Sequence, residues 1–119
     1  WQQPHRAAAT APQYSASWFD VFDTVTIVTG YAESQAEWDA QMDALHADLL
    51  RYHKLFDIYN HYDGLTNLYD VNRAAGSGAV AVDDEIIGLL AFARLMYDTT
   101  GGACNVADGA VLKEPLARL

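Results

Sequence analysis

The sequence has little of several things, and each shortage excludes a class of protein. Cysteine occurs once among 119 residues, which excludes an internal disulfide framework and a zinc site of the CxxC type. Lys and Arg number 7 against 16 Asp and Glu, a formal charge of −9, and a field of that sign opposes binding to a nucleic-acid backbone. Nucleic acid is therefore not an expected partner. The sequence also has no apolar run of the roughly 18 residues that a membrane-spanning helix needs.

Common catalytic motifs are absent from the sequence as well. It contains no Walker motif, no GxGxxG, no GxSxG and no HExxH, so no reaction can be named from such signatures. Cys104 is expected to be a small packing residue, as free cysteines usually are. The carboxylates of the turn regions are expected to serve as caps and turns (Asp63, Asp70, Asp83 and Asp84).

The first 17 residues, "WQQPHRAAATAPQYSAS", are rich in Ala, Gln, Pro and Ser, which predicts a flexible tether over 1–17. The chain begins without Met, as a processed secreted or lipid-anchored protein does. Residues 18–119 are expected to fold. Their first segment, "WFDVFDTVTIVTGY", alternates Thr with Val and Ile and predicts one strand ended by Gly30.

A long helix is predicted over 35–59, with Ser34 as N-cap and Glu37 completing a capping box. Its apolar residues follow each other in steps of three and four, as a packed helical face requires: Trp38, Met42, Leu45, Leu49, Tyr52, Phe56 and Tyr59,. A coiled coil is the competing interpretation. The strand directly before the helix favours packing on a sheet.

The rest of the chain predicts a polar turn, a short strand and a second helix. "NHYDGLTNLYDVNRAAGSG" reads as exposed turns with one helical turn, and "AVAV" at 79–82 as a strand. Asp83 is expected to cap a helix that is more deeply buried than the first and is stopped by Gly101 and Gly102. A strand follows in "GACNVADGAVL". The fold class is thus α+β, with a long helix and a second buried helix packed on a small sheet.

The turn after the long helix has the residues of a ligand site. Tyr59 and Tyr62 stand beside Asn and Asp side chains, and an aromatic ring beside such groups can stack on a flat ligand. The other interpretation, which the spacing alone favours, is that both rings belong to the core or its rim and that the Asn residues make turns.

Four segments in order resemble the N-terminal part of the FAD:protein FMN transferases. They are "FDTVTIVTGY", "HKLFDIYNHYDGLTNLYDVN", "VAVDDEIIGLLAFARLMYDTTGG" and "GACNVADGAVL". The resemblance covers residues 20–112 and implies part of a larger, T-fold-like flavin transferase domain. Members use magnesium to cleave FAD and attach FMN to a Thr or Ser of an exported or membrane redox protein. An extracytoplasmic, membrane-anchored lipoprotein is the implied setting.

The resemblance also implies which residues contact FAD. Phe22, Asp23 and Thr24 match a strand motif in which the family often has Met at the first position, and Tyr59 matches the residue that packs on the flavin ring. Asn72 matches the Asn that ends the turn motif. The triplet whose backbone lies against FAD corresponds to Ala103, Cys104 and Asn105, of which Cys104 departs from the commonest pattern.

The family's magnesium ligands lie downstream of the matching strand, so they are expected outside this chain. The chain alone is then expected to be inactive. Two alternatives stay open at this point: a non-catalytic FAD-binding protein, and a structural module that self-associates.

Overall fold

The computed structural model describes residues 11–108. Their elements in order are the strands β1 (Gln13–Val21) and β2 (Thr24–Tyr31), the helices α1 (Gln35–Leu55), α2 (Leu68–Arg73) and α3 (Asp84–Thr99), and a 3-10 helix (Val106–Asp108). The described chain divides into one unit up to His53 and another from Lys54. The α+β class is confirmed. None of the helices within 11–108 is both long enough and apolar enough to cross a membrane.

The predicted single strand is an antiparallel hairpin. Val21 pairs with Thr24, so Phe22 and Asp23 alone form the turn, with φ values of 56° and 53°. Two successive left-handed residues give the twist that two-residue hairpins require. The prediction missed the turn because such positions usually hold Asn or Gly, whereas this turn is made by Phe and Asp.

The predicted tether over 1–17 is wrong at its C-terminal end. Residues 13–17 belong to β1, where Gln13 pairs with Tyr31 and Ser17 with Ile27. Small polar residues at 15 and 17 alternate there with Tyr14, Ala16 and Trp18, which is the period of a strand. Residues 1–10 of the predicted tether lie outside the described part of the chain.

One face of the hairpin packs on α1. Tyr14 stacks on Trp38 with ring centroids 5.7 Å apart, and Trp18 stacks on the His46 ring at 4.8 Å. Gly30 lies so close to Trp38 that an added Cβ would come within 3.1 Å of its ring, which explains a glycine inside a strand. The core of this unit contains Val21, Ala32 and Trp38.

The helix α1 begins where predicted and ends earlier. Ser34 caps it, but the predicted capping box is not closed, because Glu37 accepts the N–H of Glu33 rather than that of Ser34,. Ser34 Oγ accepts the Glu37 N–H at 3.2 Å, while the Glu37 carboxylate accepts the Glu33 N–H at 2.8 Å. The helix ends at Leu55, so Phe56 and Tyr59 follow it in the next turn.

The second unit corrects three further predictions. The strand predicted in "GACNVADGAVL" is not formed over residues 102–108, which make a turn and the 3-10 helix Val106–Asp108, and residues 109–112 lie outside the described part of the chain. Residues 79–82 form no strand. The helix α3 is mostly exposed rather than deeply buried: of its described side chains only Ile86 is buried, and Ile87, Phe92 and Leu95 are each more than half exposed. Apolar residues on several sides of a helix predict that the helix is buried. The sequence does not show whether another element covers it. The Gly101–Gly102 stop is confirmed, with φ values of 63° and 89°.

Candidate functional site

The turn after α1 is built around the carboxylate of Asp57. Its Oδ1 accepts the N–H groups of Tyr59 (2.7 Å) and Asn60 (3.3 Å), and its Oδ2 accepts the Tyr62 hydroxyl (2.7 Å) and the Asn60 side-chain amide (3.0 Å). Burial raises the pKa of Asp57, but these hydrogen bonds outweigh it, so the pKa lies below its ordinary value,. Asp57 is therefore a charged anchor for the turn.

Asn67 holds the same turn from its buried side. Its side chain is fully buried and donates to the carbonyls of Lys54 (2.9 Å) and Asn60 (2.8 Å). It also caps α2 reciprocally with Asp70: Asn67 Oδ1 accepts the Asp70 N–H at 3.2 Å, and Asp70 Oδ2 accepts the Asn67 N–H at 3.1 Å. Every buried side-chain polar atom in the described residues has a partner.

A histidine and two carboxylates lie on the exposed side of this turn. His61 Nδ1 is 2.8 Å from Asp70 Oδ1, and His61 Nε2 is 3.5 Å from Asp63 Oδ1. The Asn67 N–H and then His61 keep the pKa of Asp70 below its ordinary value. No group of three or more His, Cys, Asp or Glu within 11–108 is placed to hold a metal ion.

Tyr59 is the predicted site residue that the turn presents to solvent. It lies four positions after the end of α1 and is 48% exposed, although its N–H is fixed by Asp57. An exposed ring on a fixed backbone suits stacking on a planar ligand. Tyr62, by contrast, is half-buried and directs its hydroxyl to Asp57.

Asn72 and Asn105 each line a cavity, and Leu90 lines both cavities. The cavity at Asn72 has a volume of about 410 Å³ and is otherwise mostly apolar, with Val80, Val82 and Ile86 among its lining. The cavity at Asn105 has about 280 Å³ and is lined also by Arg94 and Tyr97. Both volumes are near the lower end of the range for small-molecule sites.

The other predicted residues lie in two places. Ala103 and Cys104 follow the glycine stop of α3, where the Cys104 N–H donates to Thr100 Oγ1 at 3.0 Å. Cys104 is exposed, so the expectation of a packing residue is wrong. Phe22, Asp23 and Thr24 lie at the hairpin tip, and the Phe22 N–H donates to His53 Nδ1 at 2.8 Å.

The structure thus places the predicted residues in separate groups. Tyr59, Asn72 and the 103–105 triplet belong to the unit from Lys54, whereas residues 22–24 belong to the unit up to His53. The sequence prediction missed Asp57 and Asn67, the residues on which the turn depends. The Asn67-x-x-Asp70 spacing of a capping box was the available signal.

Comparison of the chain with known protein families, with curated proteins and with solved structures finds no match. The likeness to flavin transferases therefore stands on the four segments of sequence alone.

Proposed function

We propose that this chain supplies the flavin-contacting part of an FAD:protein FMN transferase with a T-fold-like domain. The observation that carries the proposal is the exposed ring of Tyr59 on a turn whose backbone is fixed by Asp57. The amide side chains of Asn72 and Asn105 beside open cavities add groups suited to the polar edges of a flavin. An aromatic platform with a few polar groups is the general design of such sites.

In the proposed reaction, the hydroxyl oxygen of a target Thr or Ser forms a bond to the FMN phosphorus of FAD. The pyrophosphate P–O bond breaks, AMP leaves, and the hydroxyl proton is released to solvent. Magnesium would neutralise charge on the pyrophosphate. Its ligands are expected outside this chain, so we assign no residue to it. The part of this chain is to bind and orient FAD.

The targets would be exported or membrane redox proteins, and the protein would act outside the cytoplasm as a membrane-anchored lipoprotein. The test is incubation of the full-length protein, which would include the magnesium ligands, with FAD, MgCl2 and a Thr-containing target peptide. We expect flavin fluorescence on the peptide after denaturing electrophoresis, with release of one AMP per flavin attached. A peptide without fluorescence would refute the proposal. Binding of about one FAD per chain without AMP release would instead indicate a non-catalytic flavin-binding protein.

Substitution of Tyr59 tests the proposed flavin contact directly. Stacking of a base on an aromatic side chain contributes about 1–3 kcal/mol, so Tyr59→Ala is expected to raise the Kd for FAD by a factor of about 5 to 150. Tyr59→Phe keeps the ring and should bind within about threefold of wild type. Calorimetric titration with FAD measures both. Tyr31→Ala, which removes another exposed Tyr, is the control and should leave the Kd unchanged.

Self-association is a second candidate function, favoured by the exposed apolar side chains of α3. Contiguous exposed apolar surface commonly marks an interface.

A further inference from the structure

We propose that Asp57 and Asn67 are positioning residues that hold Tyr59 ready to stack on the flavin ring, an inference that rests on the proposed function. Neither residue is among those implied by the resemblance. Both act on Tyr59 through the backbone of the turn rather than by contact with a ligand.

Asp57 fixes the backbone on both sides of Tyr59. Its Oδ1 accepts the Tyr59 N–H at 2.7 Å and the next N–H, of Asn60, at 3.3 Å. The main chain of Asp57 also takes part, since its carbonyl accepts the Tyr69 N–H at 3.0 Å. Tyr59 therefore extends from a segment that is tied to the start of α2.

Asn67 also holds the turn, by hydrogen bonds from its buried side. One carbonyl that it binds belongs to Lys54, in the last turn of α1, and the other belongs to Asn60, directly after Tyr59. Carbonyls at a helix end have no partner within the helix. A single buried amide thus joins the end of the helix to the far side of the turn, and Tyr59 lies between the two bound carbonyls.

This arrangement should strengthen flavin binding, because ordering a mobile loop on binding costs conformational entropy. A ring held in its binding position before the ligand arrives gives tighter binding than the same ring on a mobile segment. Loss of the Asp57 acceptor should therefore weaken flavin binding although the Tyr59 ring is still present. Restoring an acceptor at the same position should restore binding.

The experiment compares wild type with Asp57→Ala, Asp57→Ser and Asp57→Asn. Calorimetric titration with FAD gives the Kd, and hydrogen exchange of the Tyr59 and Asn60 amides reports the turn without flavin. For Asp57→Ala we expect both amides to exchange about tenfold faster or more and the Kd to rise about tenfold. Asp57→Asn keeps an oxygen acceptor and should return the Kd to within about threefold of wild type, with Asp57→Ser between the two.

The matched control is Ser34→Ala, which removes a cap hydrogen bond to Glu37 in the other unit. It should lower the melting temperature and leave the Kd unchanged, which separates positioning from general stability. If the wild type binds FAD and Asp57→Ala binds it with the same Kd, the positioning role is refuted and the proposed function is not. A wild-type protein that does not bind FAD would overturn the proposed function and, with it, this inference.

Discussion

At the scale of single residues, the turn after α1 is stabilised by side chains that replace regular backbone pairing. Asn67 satisfies two carbonyls and one N–H, and such buried groups are costly when they lose their partners. These bonds join residues 3 to 13 positions apart, so apolar periodicity does not reveal them. Apolar periodicity placed Tyr59 on the packed face of the long helix, and the resemblance alone singled it out as a site residue. Neither indicated the residues that hold it.

Removal of the Asn67 side chain is expected to destabilise the unit from Lys54. Asn67→Ala leaves buried backbone groups without partners and should lower the free energy of unfolding by about 2–3 kcal/mol. Urea denaturation followed by circular dichroism measures the change. Asn72→Ala, at an exposed position of α2, the helix that Asn67 caps, should shift stability by less than about 0.5 kcal/mol. Equal effects of the two substitutions would contradict the role given to Asn67.

Stability should also depend on the charge of the turn carboxylates. The pKa values of Asp57 and Asp70 are lowered in the fold, so the unfolded chain binds protons first as the pH falls. Their stabilisation is complete above the unfolded pKa of about 3.9 and is lost as the pH decreases through the lower native values. Urea denaturation between pH 7 and pH 3 should show this loss. Asp57→Asn should make the decrease shallower, and an unchanged slope would contradict the assignment.

At the scale of elements, the boundaries set by neighbouring residues could be predicted from sequence. The start of α1 depends on Ser34 and Glu37, and the end of α3 depends on two adjacent glycines. The hairpin was missed because its Phe22–Asp23 turn has no Gly or Asn to indicate positive φ. The exposure of α3 could not be predicted, since its apolar pattern does not identify a covering element.

Substitution by alanine should change the stability of the protein in opposite directions at two glycines of the second unit. Gly88 lies within the exposed part of α3 with nothing within 4 Å of an added Cβ, so Gly88→Ala should stabilise the protein by about 1 kcal/mol. Gly101 has equal space but a φ of +63°, so Gly101→Ala should destabilise it by about 1–2 kcal/mol. Denaturant midpoints measure both. A stabilising Gly101→Ala would show that α3 does not end in the left-handed conformation described.

At the scale of the whole molecule, apolar exposure and acidic charge oppose each other. Large side chains are exposed on β1 and β2 (Phe19, Val25, Ile27 and Tyr31) and on α3 (Ile87, Phe92 and Leu95). Exposed apolar surface favours association, whereas a formal charge of −9 makes copies of the chain repel,. The sequence showed the charge but not which apolar residues would be exposed, because exposure depends on tertiary packing.

The salt concentration should set the balance between apolar attraction and charge repulsion among copies of the chain. Raising NaCl from about 0.05 to 0.5 M shortens the Debye length from roughly 14 to 4 Å, which screens the repulsion and leaves the apolar attraction. Sedimentation velocity should therefore show more dimer at high salt. Ile87→Glu combined with Leu95→Glu should abolish the increase, whereas Asp84→Glu with Thr99→Ser, which keeps both positions polar, should not. A protein that stays monomeric at high salt would show that α3 does not self-associate, and would remove the second candidate function without affecting the proposal for flavin transfer.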